Sequence, residues 1–196
     1  GEVLNQGFEL QVRGEVFRNR DWLVALWGNM AHNKNKIVKI SDSQRAYNQR
    51  VKDFYQKGIV DMNYNGYEPQ YAVPISQYEE GQSLTSIWAV KSLGIDPTTG
   101  KEIFLNRDGS VSDTWNATQE VVVGNTEPKF NGSVGFNLAY KAWSLFAAFQ
   151  YEWGGQEYNQ TLVDRVENAR IQYQNVDLRV LTDRWKQPGD IAQFKD

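Results

Sequence analysis

The feature that most constrains this chain is a two-residue alternation that runs from residue 130 to residue 153 with one short break. Every second residue is apolar or is glycine, and most residues between them are small, polar or charged. Period two is typical of a β-strand with one apolar face, and the break at Lys141 and Ala142 suits a tight hairpin turn. The sequence therefore predicts an antiparallel hairpin whose apolar face is directed either to a protein core or to lipid.

A second alternation occupies the first 40 residues, with Phe8, Leu10 and Val12 separated by charged and amide side chains. Polar residues at 18–21 supply a turn, and a returning strand follows. Between Trp22 and Trp27 the residues of both parities are apolar, so the pattern does not assign the faces of the strand near 22–36.

Composition narrows the classes of protein further. The 196 residues include no Cys, a single His and a formal net charge of -3, which disfavours thiolate metal sites, His-rich metal sites and a nucleic-acid partner. No apolar run approaches the roughly 20 residues of a membrane helix. The lack of such a run does not exclude membrane-spanning strands, because a β-barrel crosses a membrane without a long apolar run.

The hairpins are joined by a long connection. Ser41 is a plausible N-cap and Gly58 a plausible stop for a short amphipathic helix, and residues 59–129 are rich in turn residues, with one small hairpin predicted at 106–109. Short turns at one rim and long loops at the other are typical of outer-membrane barrels. Strands of 11 residues tilted by about 40° also span about 28 Å of bilayer, close to the apolar band of about 25 Å.

These patterns predict a mainly β fold: an antiparallel transmembrane β-barrel segment of two long hairpins, with a long extracellular loop region that contains a short helix and small hairpins. Residues 1–196 form one partial barrel segment, with strands near 5–17, 22–36, 129–140 and 143–153 and extracellular segments at 37–128 and 154–196. A soluble, secreted β-sandwich that binds glycans remains the alternative, since a second sheet could cover the same face. The predicted lipid-facing residues are Phe130, Val134, Phe136, Leu138, Tyr140, Trp143, Leu145, Ala147, Phe149, Tyr151 and Trp153.

Several longer strings carry a family resemblance. They occur in the order NQGFE (5–9), SIWAVKSLGIDPTTGKEIF (86–104), LNRDG (105–109), VGNTEPKFNGSVG (123–135) and RWKQPGD (184–190). In this order they resemble the SusC/RagA family, the TonB-dependent transporters of the Gram-negative outer membrane. A single string such as DPTTG would be generic turn chemistry, whereas the ordered set is specific.

The resemblance implies a many-stranded barrel closed by an N-terminal plug and capped at its extracellular mouth by a SusD-like surface lipoprotein. Such pairs import oligosaccharides or peptides with energy delivered through TonB. The chain corresponds to a part of the barrel in its C-terminal half. The plug and the TonB box have no counterpart in it, so TonB would act through the missing N-terminal part, and we expect the chain alone not to transport.

No motif recommends an enzyme, a metal site or a cofactor, because the sequence has no nucleophile motif, metal-ligand spacing or phosphate loop. Two aromatic residues of the long loop, Trp88 and Trp115, are the candidates for contact with a ligand or a partner. Burial of both rings in a small core of the loop itself is the alternative, and it is the favoured one.

Overall fold

The structure is a computed structural model that describes residues 1–60 and 78–195; in the helix that ends at residue 60 it leaves out most side chains from residue 51 onward. The chain forms two compact units. Unit 1 comprises residues 1–40, 79–85 and 125–156, and unit 2 comprises residues 41–78, 86–124 and 157–196.

The elements follow one another in chain order. The strands are β1 (Glu2–Arg18), β2 (Trp22–Lys39), β3 (Ser86–Ala89), β4 (Lys91–Ile95), β5 (Glu102–Leu105), β6 (Val111–Ser112), β7 (Val121–Asn125), β8 (Phe130–Tyr140) and β9 (Trp143–Trp153). The helices are α1 (Asp42–Val60), α2 (Gln160–Leu162) and α3 (Arg179–Thr182), with a 3₁₀ turn at Ala117–Gln119 and a π turn at Val163–Glu167.

Unit 1 is built on one antiparallel sheet with the strand order β1-β2-β8-β9. The two long hairpins predicted from the alternation are present, although β1 and β2 extend beyond the predicted bounds. Both short turns lie at the same end of the sheet, because Trp22 pairs with Tyr140. In the first turn the side chain of Asn19 accepts hydrogen bonds from the backbone of Asp21 and Trp22, and in the second Lys141 adopts a φ of 52°, the left-handed conformation that a two-residue turn requires.

One β-bulge changes the expected face of β1. Glu15 pairs with Ala25 and Phe17 pairs with Val24, so Val16 has no partner of its own in the register. An extra residue in one strand reverses the parity of everything beyond it. Phe17 therefore continues the apolar face that a simple alternation would have assigned to Val16.

The opposite end of the same sheet is held by the chain segment 79–85. The backbone of Ile37 donates to the carbonyl oxygen of Gln82 at 2.8 Å and accepts from the N–H of Gly81 at 2.8 Å. The side chain of Asn35 accepts from the N–H of Leu84 at 2.9 Å. Ile37 is consequently buried, unlike most apolar residues of the sheet.

Unit 2 contains two small sheets, β3-β7 and β4-β5-β6. The hairpin predicted at 106–109 is confirmed, since it joins β5 to β6 with Gly109 at a φ of 84°. Helix α1 begins after Ser41, whose hydroxyl accepts from the N–H of Gln44, and it continues past the predicted stop at Gly58. The side chains that would test its predicted amphipathic character fall largely outside the described residues.

Within the ranges that the structure describes, no helix is long and apolar enough to cross a membrane.

Candidate functional site: the two faces of the four-stranded sheet

The register of the sheet determines which side chains share a face. Residues that pair directly across an antiparallel ladder project to the same side. Phe130 pairs with Trp153, Phe136 with Ala147, and so on to the end of the hairpin, so the eleven residues predicted to face lipid all lie on one side. We call this side the apolar face. Strand β2 contributes Trp22, Val24, Leu26 and Met30 to it, and β1 contributes Phe8, Leu10, Val12 and Phe17.

The register thus settles the faces of β2 that the sequence left open. Val24 pairs with Leu138 and lies on the apolar face, whereas Ala25 pairs with Asn137 and lies on the opposite side. The apolar face therefore continues across all four strands.

Large side chains on the apolar face remain exposed in the chain itself. Trp143 is 80% exposed, Trp153 is 71% exposed and Phe149 is 62% exposed. Soluble monomers rarely expose contiguous apolar patches of such extent, so this face needs a partner or an apolar solvent.

Aromatic rings are concentrated at the two ends of the apolar face. At the short-turn end the rings of Trp22 and Tyr140 lie 4.3 Å apart, and at the other end those of Phe130 and Trp153 lie 6.0 Å apart. The ten residue steps from one row to the other correspond to about 26 Å along the bilayer normal for a strand tilted by about 40°. Two aromatic girdles separated by about 25 Å are the pattern of a membrane-spanning barrel wall.

A glycine on the apolar face admits a cross-strand hydrogen bond. The hydroxyl of Tyr151 passes over Gly132 and donates to the carbonyl oxygen of Asn29, two strands away, at 3.1 Å. The N–H of Ser133 is then satisfied by the side chain of Asn29 at 2.8 Å. Any side chain at position 132 would collide with the Asn29 carbonyl, so the arrangement requires glycine there.

The other side of the sheet, which we call the polar face, alternates with the first. It is made by Glu9, Gln11, Arg13 and Glu15 from β1, Leu23, Ala25, Trp27, Asn29 and Ala31 from β2, Asn131, Ser133, Gly135, Asn137 and Ala139 from β8, and Ser144, Phe146, Ala148, Gln150 and Glu152 from β9. Most of these side chains are polar, charged or small, so this face suits water.

Two aromatic rings interrupt the polar face. The indole of Trp27 lies over Gly135, where a Cβ atom would collide with it, and reaches toward β9. There it is nearly parallel to the ring of Phe146, with an angle of 10° and a centroid distance of 6.2 Å. Sequence parity alone placed Phe146 on this face, but the pairing with Trp27 depends on a register that no local pattern reveals.

The two loop tryptophans predicted as candidate contacts are buried in unit 2. Trp88 is 2% exposed, and Trp115 is 6% exposed in a small core with Phe104 and Ala117. The guanidinium of Arg107 lies 5.9 Å from the centre of the Trp88 ring and donates through Nε to the carbonyl oxygen of Glu120 at 2.7 Å. The structure therefore places both rings where they stabilise the loop.

Two of the strings that carried the resemblance contact each other in unit 2. In DPTTG the carboxylate of Asp96 accepts from the hydroxyls of Thr98 and Thr99, and the Thr98 hydroxyl is the main reason why the pKa of Asp96 lies below its usual value. The indole N–H of Trp185, from RWKQPGD, donates to the carbonyl oxygen of Pro97 at 2.9 Å. Gly100, at a φ of 71°, lies directly beneath the Trp185 ring, which leaves no room for a Cβ atom. These strings thus describe one packed structure.

Exposed apolar side chains in the last part of unit 2 were missed by the sequence reasoning. Ile171 is 67% exposed, Tyr173 is 84% exposed and Leu178 is 72% exposed. Tyr173 and Leu178 are next in sequence to residues that line a cavity of about 530 Å³, whose lining includes Arg165, Gln174 and Arg179. The sequence of this segment has no periodicity, so it does not predict which of its side chains are exposed.

Two ionisable groups of unit 2 have raised pKa values. Burial, and then the charges of Glu167, Glu102 and Asp164, raise the pKa of Tyr158 to about 12, and burial raises the pKa of Glu167. Over residues 1–60 and 78–195, no three His, Asp or Glu side chains are grouped so that they could hold a metal ion.

Comparison with known proteins gives a consistent result. No family profile matches the sequence. A curated protein from Formosa agariphila, the TonB-dependent receptor P3, is 26% identical over 174 residues, which are 84% of this chain and 16% of that protein. A solved structure of the RagAB peptide transporter matches 99% of this chain with a TM-score of 0.69 and 19% identity, over 20% of its own chain.

These findings confirm the resemblance to the SusC/RagA family. They also confirm the fold class: the chain is mainly β and antiparallel, and its four-stranded sheet is open at both edges. The segment spans about a sixth to a fifth of the length of the proteins that it matches.

Proposed function

We propose that this segment is part of the barrel wall of an outer-membrane, TonB-dependent nutrient importer of the SusC type in a Gram-negative bacterium. The observation that carries the proposal is the continuous apolar face, which crosses all four strands, has aromatic rings at both ends and remains exposed. In a barrel wall this face contacts lipid and the polar face lines the lumen. The eleven predicted residues, from Phe130 to Trp153, are then the lipid-facing set of β8 and β9.

The same proposal assigns the two ends of the sheet. The short turns at 19–21 and 141–142 lie on the periplasmic side, and the long connections, 37–128 and 154 onward, lie outside the cell. A SusD-like lipoprotein would contact the extracellular part, and TonB would act through the N-terminal part of the complete protein. The cargo is an oligosaccharide or a peptide, and the chain has no enzymatic role.

Within unit 2, we assign the contact with the lipoprotein or the cargo to the region around Tyr173 and Leu178, because large side chains are exposed there. Trp88 and Trp115 would be reached only if the loop rearranged, because both are buried. Tyr173 and Leu178 are exposed, and each is next in sequence to a residue that lines the same cavity as Arg165. Large exposed apolar residues with neighbouring arginines are typical of protein interfaces.

The alternative, a soluble glycan-binding β-sandwich, requires a second sheet to cover the apolar face. Among the described residues the remaining sheets have two and three short strands, and Trp143 and Trp153 are still largely exposed. This observation supports the barrel over the sandwich.

Paired spin labels test the proposal in the complete protein, inserted in lipid vesicles. Labels at position 149, on the apolar face, and at position 150, on the polar face, differ only in parity. We expect molecular oxygen, which is concentrated in lipid, to relax the label at 149 more strongly, and a water-soluble nickel chelate to relax the label at 150. Equal access of the nickel chelate to both labels would show that the apolar face does not contact lipid.

A further inference from the structure

The polar face carries an apolar feature that a water-lined wall does not require. Trp27 and Phe146 are its two large aromatic side chains, and Phe146 is 63% exposed. At a centroid distance of 6.2 Å and an angle of 10° the rings are offset, so each leaves part of its surface uncovered.

The pair is held in place by the backbone beneath it. Gly135 of β8 lies between the two strands that carry the rings, and the indole of Trp27 occupies the space that a Cβ atom would need. Arg13 pairs with Trp27 on the other side, on β1. Because the ring rests on a strand and is flanked by a second one, its position is fixed before any ligand arrives.

Unused hydrogen-bonding groups surround the rings. Asn137 pairs directly with Phe146, and the row next to Trp27 contains Gln11 and Gln150. In the described part of the chain none of these three amides makes a side-chain hydrogen bond. The indole N–H of Trp27 likewise has no acceptor there. Two ring surfaces and a border of free amides therefore lie on one face.

We propose that Trp27 and Phe146 form a stacking subsite for a sugar ring of an oligosaccharide on its way through the lumen. The inference rests on the proposed function, since it requires the polar face to line the lumen, and it names the class of cargo. A pyranose ring presents C–H groups on its face, which suit an aromatic surface, and hydroxyls around its edge, which suit amides.

The border of amides favours a sugar over a permanent protein cover. A fixed protein segment would have to provide a matching partner for each buried amide, because unpaired buried polar groups are costly. A hydroxyl both donates and accepts, so a mobile sugar satisfies the same amides in several positions.

The test uses the complete transporter, purified in detergent, and four probes: malto-, xylo-, manno- and fructo-oligosaccharides of about six units each. Calorimetric titration gives the affinity of the wild type, Trp27→Leu and Phe146→Ala. Leucine keeps the bulk over Gly135 and removes the ring. Phe149→Ala, on the same strand but on the opposite face, is the matched control.

We expect at least one oligosaccharide to bind the wild type, and each ring variant to weaken that binding by about tenfold or more, as expected for the loss of an aromatic anchor. The control should remain within about twofold. Unchanged affinity in both ring variants, or a wild type that binds none of the four probes, overturns the proposal. If the ring variants instead lost affinity for a mixed pool of hexapeptides, the rings would be assigned to a peptide cargo. That result would also overturn the proposal.

A cysteine at position 146 tests the remaining alternative, which is that a permanent protein cover lies over the rings. In the intact transporter without cargo, a water-soluble maleimide should react with it, and a bound oligosaccharide should slow the reaction. A cysteine that stays unreactive without cargo would show a permanent protein cover and overturn the inference. Failure of the complete protein to insert in the outer membrane would instead contradict the proposed function, so the two failures are distinguishable.

Discussion

The two units use the same kinds of large side chain in opposite ways. In unit 2 the rings of Trp88, Trp115 and Phe104 are between 2% and 6% exposed, whereas in unit 1 Trp143 and Trp153 are 80% and 71% exposed. Unit 2 therefore has an interior of its own, built from short strands and turns. Unit 1 is a single sheet with apolar residues on its outside.

Under the proposed function, this difference reflects the solvent around each unit, which is water for unit 2 and lipid for the apolar face of unit 1. A small loop structure in water gains stability when it removes its apolar surface from water. A sheet that lies in lipid gains nothing by hiding the same residues, because its apolar solvent is already in contact with them. The following predictions test the contrast, beginning with the largest effect.

Replacing a buried ring in unit 2 should have the largest effect. Trp115→Ala removes a side chain from the core that Phe104 and Ala117 share, and the loss of a buried Trp typically costs about 3–5 kcal/mol. In the complete protein we expect protease cleavage within 86–124 to become rapid. Trp143→Ala is the matched control and should leave that cleavage unchanged, because Trp143 is mostly exposed. Equal sensitivity of the two variants would contradict the division into two kinds of environment.

A charge placed near the middle of the sheet should distinguish its faces. Ala147 pairs with Phe136 on the apolar face, and Ala148 pairs with Gly135 on the polar face. Ala147→Arg should reduce the stability of the assembled barrel by about 2–4 kcal/mol, whereas Ala148→Arg should be tolerated far better. The measurement is the folded fraction in lipid vesicles during urea titration. A larger loss for Ala148→Arg would invert the assignment of the faces.

The cross-strand hydrogen bond on the apolar face should contribute a smaller amount. Tyr151→Phe removes the hydroxyl that donates to the carbonyl of Asn29, and the loss of one such hydrogen bond costs about 0.5–1.5 kcal/mol. Tyr140→Phe removes a hydroxyl on the same face that makes no such bond with residues 1–60 or 78–195, and it should be close to neutral. The same urea titration measures both. If the two variants are equally stable, the hydrogen bond from Tyr151 to the backbone does not contribute to the stability of the barrel.

The smallest effect concerns the pH dependence of unit 2. Burial, followed by the charge of Glu102, raises the pKa of Glu167, against the opposing charge of Lys195. A raised folded-state pKa means that the associated stability is complete below the ordinary pKa of glutamate and is lost as the pH rises through the folded-state value. Glu167→Gln should therefore make unit 2 more stable than the wild type at pH 7 and equally stable near pH 4.

Because Glu167 is partly exposed, we expect the gain at neutral pH to stay below about 1 kcal/mol. The midpoint of thermal unfolding at the two pH values is the measurement, and Glu157→Gln, at an exposed position, is the control. A variant that gains stability at pH 4 rather than at pH 7 would contradict the assigned direction.

The sequence predicted those parts of the fold that depend on local periodicity. The alternation placed β8 and β9 within about one residue of their observed bounds, and Ser41 correctly marked the start of α1. The faces of β2 could not be predicted, because residues of both parities are apolar and only the pairing with β8 separates them. The bulge at Val16 was missed for a similar reason, since an extra residue leaves the local pattern intact.

The candidate site was predicted only where it follows from parity. The eleven apolar residues of one face share a period, so the sequence shows them directly. The pair of Trp27 and Phe146 joins residues that are 119 positions apart in the chain, through a glycine on a third strand. The burial of Trp88 and Trp115 likewise depends on contacts among distant segments, which composition does not encode.

The two glycines of β8 have a consequence for how the hairpins are aligned. Gly132 and Gly135 are three residues apart, so they open recesses on opposite faces of one strand. Through one recess a tyrosine of β9 reaches β2, and through the other a tryptophan of β2 reaches β9. A two-residue slip of β8 would preserve the apolar pattern, but it would place a side chain where each recess is needed. The two glycines therefore specify the register of β8, because the apolar alternation alone would also permit a sheet displaced by two residues.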